Sequence, residues 1–95
     1  MANSSGPTIS SSGLDARRKK ILFRAWHRGI KEMDIVLGNF ADMHLATMTE
    51  ADLDILEHLM SAPDIELFKW ISGEKETPEE YRSHVIDRIA AFYSI

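Results

Sequence analysis

Cysteine is absent from all 95 residues. That excludes disulfides, thiolate zinc sites and iron–sulfur clusters, and it fits a reducing compartment. Long apolar runs are absent as well: no stretch approaches the ~20 residues that a membrane-spanning helix needs. There is no glycine-rich loop of the phosphate-binding kind, no nucleophile set beside a base and no marked pair of acids. The four histidines, His27, His44, His58 and His84, never fall at the i, i+4 spacing of a helical metal site. An enzyme or a metalloprotein is therefore the least supported class, and no metal ligand is assigned.

What is present is a soluble globular composition, 44% hydrophobic and 27% charged. A chain of this length buries only about 60–65% of its unfolded surface, which leaves little room for a deep cleft. The net charge of −4 conceals an asymmetry. Residues 1–31 carry seven cations against Asp15 alone, and residues 32–95 carry four cations against fourteen acids. An acidic body repels nucleic acid, so a protein partner with a mixed or acidic surface is the better fit. The first thirteen residues, MANSSGPTISSSG, carry no charge and are rich in serine and glycine. They are read as a disordered tail, with no apolar core of a secretory signal, and residues 14–95 as a single helical domain. The location expected from this is the bacterial cytoplasm.

Apolar spacing from Leu14 onward is helical, with no convincing strand. Residues 15–28 make a first helix through Ile21, Leu22, Ala25 and Trp26. Residues 30–46 make a second, with Ile30, Met33, Leu37, Phe40 and His44 on one stripe. Thr49 opens a third in a capping box closed by Asp52, with Leu53, Leu56 and Met60 inward, and Pro63 stops it. Asp64 is the expected N-cap of a short fourth helix containing Leu67, Phe68 and Ile71, and Gly73 its C-terminal cap. Thr77-Pro78-Glu79-Glu80 is the expected start of the fifth, with Tyr81, Val85, Ile89 and Phe92 as its stripe. The fold class is all-α, a small five-helix bundle.

One stretch departs from plain bundle chemistry. In Ala25-Trp26-His27-Arg28-Gly29-Ile30-Lys31-Glu32-Met33-Asp34 a glycine interrupts the helical pattern between Arg28 and Glu32. On a continuous helix those two residues share a face as a surface ion pair, although arginine before glutamate is the weaker order. If the chain breaks at Gly29, Glu32 falls in the first turn of the next helix, where negative charge is favoured. Glycine costs about 1 kcal/mol inside a helix, so a turn or a close approach by another chain is the better reason for it. Arg17-Arg18-Lys19-Lys20 is open to two readings, a nucleic-acid patch or a solvated helix face; Phe23 and Trp26 lie at helical spacing, which suits packing. Trp26 and Trp70 are either core residues or interface anchors.

Residues 26–34 resemble the RGxxE signature of the small succinate dehydrogenase assembly factors, the flavinylation factors of the SdhE type. Phe40-Ala41-Asp42 follows at the distance seen in that family, and Pro63-Asp64-Ile65-Glu66-Leu67-Phe68-Lys69-Trp70-Ile71-Ser72-Gly73 is similar to its second block. The likeness covers residues 15–93; Ile30 stands where many members have methionine. The resemblance implies an assembly chaperone, not an enzyme, that binds the flavoprotein subunit of succinate dehydrogenase and that of fumarate reductase. It implies that FAD belongs to the partner, whose histidine is joined to the flavin 8α carbon, and that no cofactor is tightly held here. By the same resemblance Trp26, His27, Arg28, Gly29, Glu32 and Asp34 are the partner-binding residues, on a monomer. Two alternatives remain: a helical protein–protein adaptor with no flavin role, and a nucleic-acid regulator using residues 17–31.

Overall fold

The computed structural model describes residues 13–94, which contain five α-helices and no strand. The all-α expectation holds. The expected tail lies, Gly13 apart, outside the described residues. The chain forms two compact units, the first closing at Met48 and the second opening at Thr49.

The first unit holds α1 (Ala16–Ala25) and α2 (Lys31–His44), packed on one another, and a 3₁₀ turn at Leu45–Thr47. Asp15 caps α1, its carboxylate accepting from the Arg18 N–H at 2.9 Å. Ile21, Leu22 and Ala25 of α1 and Met33, Leu37 and Phe40 of α2 are buried. Each large side chain of that set contributes about 1.5–3 kcal/mol relative to exposure. Arg18 does what its place in a basic run did not announce. Its guanidinium turns inward, donating from Nε to the Leu45 carbonyl at 3.0 Å and from the other arm to the Met48 carbonyl and Asp15 Oδ2. These carbonyls end α2 and its 3₁₀ extension, where helix geometry leaves acceptors unpaired and a cation is favoured.

The second unit holds α3 (Glu50–Met60), α4 (Asp64–Ser72), a 3₁₀ turn at Glu79–Tyr81 and α5 (His84–Tyr93). Both α3 and α4 pack against α5. Thr49 caps α3 as expected, accepting from the Asp52 N–H at 3.1 Å. Gly73 ends α4 at φ 83°, a left-handed conformation that glycine adopts without a Cβ penalty.

Three expected boundaries are corrected. α1 stops at Ala25, three residues short of Arg28: the Trp26 N–H is shared between the Leu22 and Phe23 carbonyls, and the His27 N–H bonds the Arg24 carbonyl, three residues back and not four. Asp64 is the first residue of α4 and Pro63 holds the N-cap position; a proline there has no N–H to leave unpaired, and Asp64 adds its charge to the first turn. Thr77 does not cap the last helix. Pro78 instead opens the 3₁₀ turn, Arg82 and Ser83 are extended, and Ser83 caps α5 by accepting from the Ile86 N–H at 3.1 Å. Tyr81 therefore leaves the α5 stripe and lies 4.7 Å from the His58 ring and 4.9 Å from Trp70. Ile86 joins Val85 and Ile89 as the buried side of α5, and Phe92 is half-buried.

Candidate functional site

Residues 26–30 connect α1 to α2, so Gly29 lies in a linker and not inside a helix. Arg28 and Glu32 accordingly do not share one continuous helix. Ile30 is extended at φ −127° and ψ 148°, and α2 begins at Lys31 with Glu32 and Asp34 in its first turn. That turn carries the unpaired N–H groups of a helix start, which favour the two carboxylates.

Trp26 is held from below. Its half-buried indole lies over Gly38, where α2 has no side chain: a Cβ there would stand 2.5 Å from Cε2 and 2.6 Å from Cε3. Glycine at position 38 thus makes the seat for Trp26, despite the ~1 kcal/mol it costs a helix interior. Sequence reading missed Gly38; a lone glycine in a strong helical pattern is the signal that marks such a close approach. The indole N–H of Trp26 is buried with no acceptor among the described residues.

His27 is exposed. Its ring stacks on Phe23 at 4.0 Å, with 19° between planes, and its Nδ1 lies 2.7 Å from the Phe23 carbonyl oxygen. The Arg28 N–H donates to Asp34 Oδ1, which ties the linker to the first turn of α2. Asp34 is half-buried in that role. Gly29 and Glu32 are exposed and the Arg28 side chain is partly so. The six residues therefore come together in the first unit with divided roles. Trp26 and Asp34 fix the linker's path, and His27, Arg28, Gly29 and Glu32 face outward along it.

The other two blocks of the resemblance have a different setting. Phe40, Ala41 and Asp42 are all buried, and Leu67, Trp70 and Ile71 form the inner side of α4. Trp70 is thus a core residue, its ring tilted 31° against that of Tyr81. The run Arg17-Arg18-Lys19-Lys20 loses Arg18 to the interior, which weakens its reading as a nucleic-acid patch. Among the described residues no three histidine or acidic side chains gather as metal ligands, and no helix is long and apolar enough to cross a membrane.

Comparison with known proteins finds a matching family. A family profile described as "Flavinator of succinate dehydrogenase" matches residues 19–93. The chain is 36% identical over 88 residues to an FAD assembly factor SdhE of Acetobacter pasteurianus, covering 93% of this chain and 81% of that one. It is 36% identical over 75 residues to a mitochondrial succinate dehydrogenase assembly factor 2 of Dictyostelium discoideum, and 41% over 74 residues to that of Caenorhabditis briggsae. These alignments cover 79% and 76% of this chain, which spans only 53% and 61% of those two longer proteins. The chain belongs to the flavinator of succinate dehydrogenase family, as an assembly factor and not as an enzyme.

Proposed function

We propose that this chain binds the flavoprotein subunit of succinate dehydrogenase through its α1–α2 linker and promotes covalent attachment of FAD to a histidine of that subunit. The observation that carries this reading is the contrast among the three blocks. Phe40, Ala41 and Asp42 are buried and the block at 63–73 packs Leu67, Trp70 and Ile71 into the core, whereas the block at 26–34 leaves His27, Gly29 and Glu32 exposed at a linker and helix start that Asp34 pins.

The chemistry of bond formation is that of the flavin and of the partner's histidine. This chain's residues bind and orient. A helper that prefers the aligned form of its target raises the population of that form, and alignment alone lowers a barrier substantially. Arg28 supplies a planar fork of donors for a carboxylate or backbone acceptors of the partner. Glu32, in the first turn of α2, supplies an acceptor of opposite charge, and the bare backbone of Gly29 admits close approach between them. Asp34 and Trp26 hold the linker still, so that less freedom is lost on binding.

In this reading residues 14–95 work as one domain, the chain is monomeric, and the flavoprotein of fumarate reductase is a second target. The proposed location is the bacterial cytoplasm, which the Acetobacter relative supports and which the mitochondrial names of the others do not share.

The test is covalent flavin on the flavoprotein subunit, read as fluorescence in denaturing gels. The subunit is expressed with this chain, without it, and with Arg28→Ala, Arg28→Lys or Glu32→Ala. Signal that rises with the wild type and falls with all three variants supports the reading; the lysine variant fails because it cannot form the fork. Equal signal in every lane, with all proteins folded, overturns it.

A further inference from the structure

The outward face of α1 is more than a solvated charge run. Lys20 and Phe23 lie three apart on the side of α1 opposite the buried Ile21, Leu22 and Ala25, and His27, just past the helix, continues that line by stacking on Phe23. Lys19 and Arg24 flank that line, and both are exposed. No carboxylate of the described residues pairs with Lys19, Lys20 or Arg24. The one acid at the start of this helix, Asp15, is taken by Arg18. In the middle of these cations Phe23 is 60% exposed, its ring stacked on that of His27. Solubility accounts for exposed lysines; it does not account for a large aromatic ring among them, because a bare ring gains nothing from water. The line runs without a break into the linker, since His27 both stacks on Phe23 and precedes Arg28.

The geometry points to Lys19, Lys20, Phe23 and Arg24 as a second docking surface, fitted to an acidic patch with an apolar centre on the flavoprotein subunit. This rests on the reading that the linker docks on that subunit. Charge complementarity selects an acidic occupant: three unneutralised cations steer it in and fix its register, and Phe23 supplies the buried apolar contact. The same three cations repel a second copy of this basic face.

The experiment measures binding of the purified flavoprotein subunit to the full chain, by anisotropy of a labelled chain, at about 50 mM and about 300 mM salt. The variants are Lys19→Glu/Lys20→Glu/Arg24→Glu, the uncharged Lys19→Gln/Lys20→Gln/Arg24→Gln, Phe23→Ser and Arg28→Ala. Lys19, Lys20, Phe23 and Arg24 are exposed and Arg28 is partly so, and thermal midpoints check folding. The expected result is a weakening of about tenfold or more for the glutamate variant at low salt, less for the glutamine variant, with both gaps closing at high salt. Phe23→Ser weakens binding several-fold at both salt concentrations. Binding unchanged in these variants while Arg28→Ala weakens it overturns the second surface and leaves the linker standing. No binding by the wild type overturns the linker reading itself. Loss of affinity for duplex DNA, or of a self-associated form, with flavoprotein binding intact also overturns the proposal, since the face then serves that occupant.

Discussion

Trp26 and Gly38 are a matched pair: the indole that ends α1 occupies the space a side chain would take on α2. The start of the α1–α2 linker is therefore set by an absence twelve residues downstream. Gly38→Ala puts a methyl against the ring. Overpacking of this kind costs about 1–3 kcal/mol, against ~1 kcal/mol gained in helix propensity. The expected outcome is a lower thermal midpoint, with weaker flavinylation from displacement of Trp26. A midpoint that rises shows that the ring yields freely.

Arg18 is the second structural prediction. Its guanidinium serves two carbonyls at the end of α2 and is mostly buried. Hydrogen bonds to a charged group contribute about 1.5–3 kcal/mol, and stranded acceptors cost a similar amount. Arg18→Met lowers the urea midpoint accordingly. Arg18→Lys recovers only part, because one ammonium cannot span both carbonyls as the fork does. The matching change at the exposed neighbour, Lys19→Met, stays within about 0.5 kcal/mol.

Asp34 is a positioning residue, and its effect is separable from charge. Asp34→Ala releases the Arg28 N–H, so the Arg28 amide exchanges hydrogen faster and flavin attachment falls. Asp34→Asn keeps an oxygen acceptor and restores protection of that amide. Equal exchange in wild type and alanine variant rules out the tie.

The start of α5 is checked by two caps. Ser83→Ala removes the acceptor of the Ile86 N–H and costs about 1 kcal/mol in chemical denaturation. Thr77→Ala lies outside the helix and stays within about 0.5 kcal/mol. The reverse order restores the longer helix that the sequence suggested.

Acid titration follows from two carboxylates held below their usual range. The Arg18 backbone N–H on Asp15, aided by the Arg18 charge, lowers its pKa from the ordinary 3.8, and the Lys75 ammonium bonded to Glu66 lowers that group from 4.5. A lowered folded-state pKa gives stability that is present above the ordinary value and lost as pH falls through the folded one. The wild type therefore loses stability below 4.5 and further below 3.8. Lys75→Ala removes the Glu66 share of that slope and Asp15→Asn the other, measured as denaturant midpoints across that range.

Much of this was legible because helices announce themselves locally. Thr49 and Gly73 are cap chemistry, and Leu37, Leu53 and Ile89 follow the 3.6-residue period into the interior. The errors lie where a distant group decides. Pro78 after Thr77 is as good a helix start as any; the rings of His58 and Trp70, 23 and 11 residues from Tyr81, accompany a different path for it. Arg18 reads as one cation of four until the ends of α2 are in space beside it. At the candidate site the linker could be read from Gly29, but its pinning by Asp34 and the seat at Gly38 depend on how α2 returns past α1.

One atom in the linker has a fixed identity because of a neighbour that cannot change its own. The Phe23 carbonyl only accepts hydrogen bonds, so the His27 nitrogen facing it carries the hydrogen. With Nδ1 engaged inside the chain, Nε2 is the ring nitrogen left to a partner, on a ring whose orientation the Phe23 stack and the Phe23 carbonyl both set. A partner that reaches this end of the linker therefore meets one ring nitrogen in one place, and its own group must come to that edge of the imidazole.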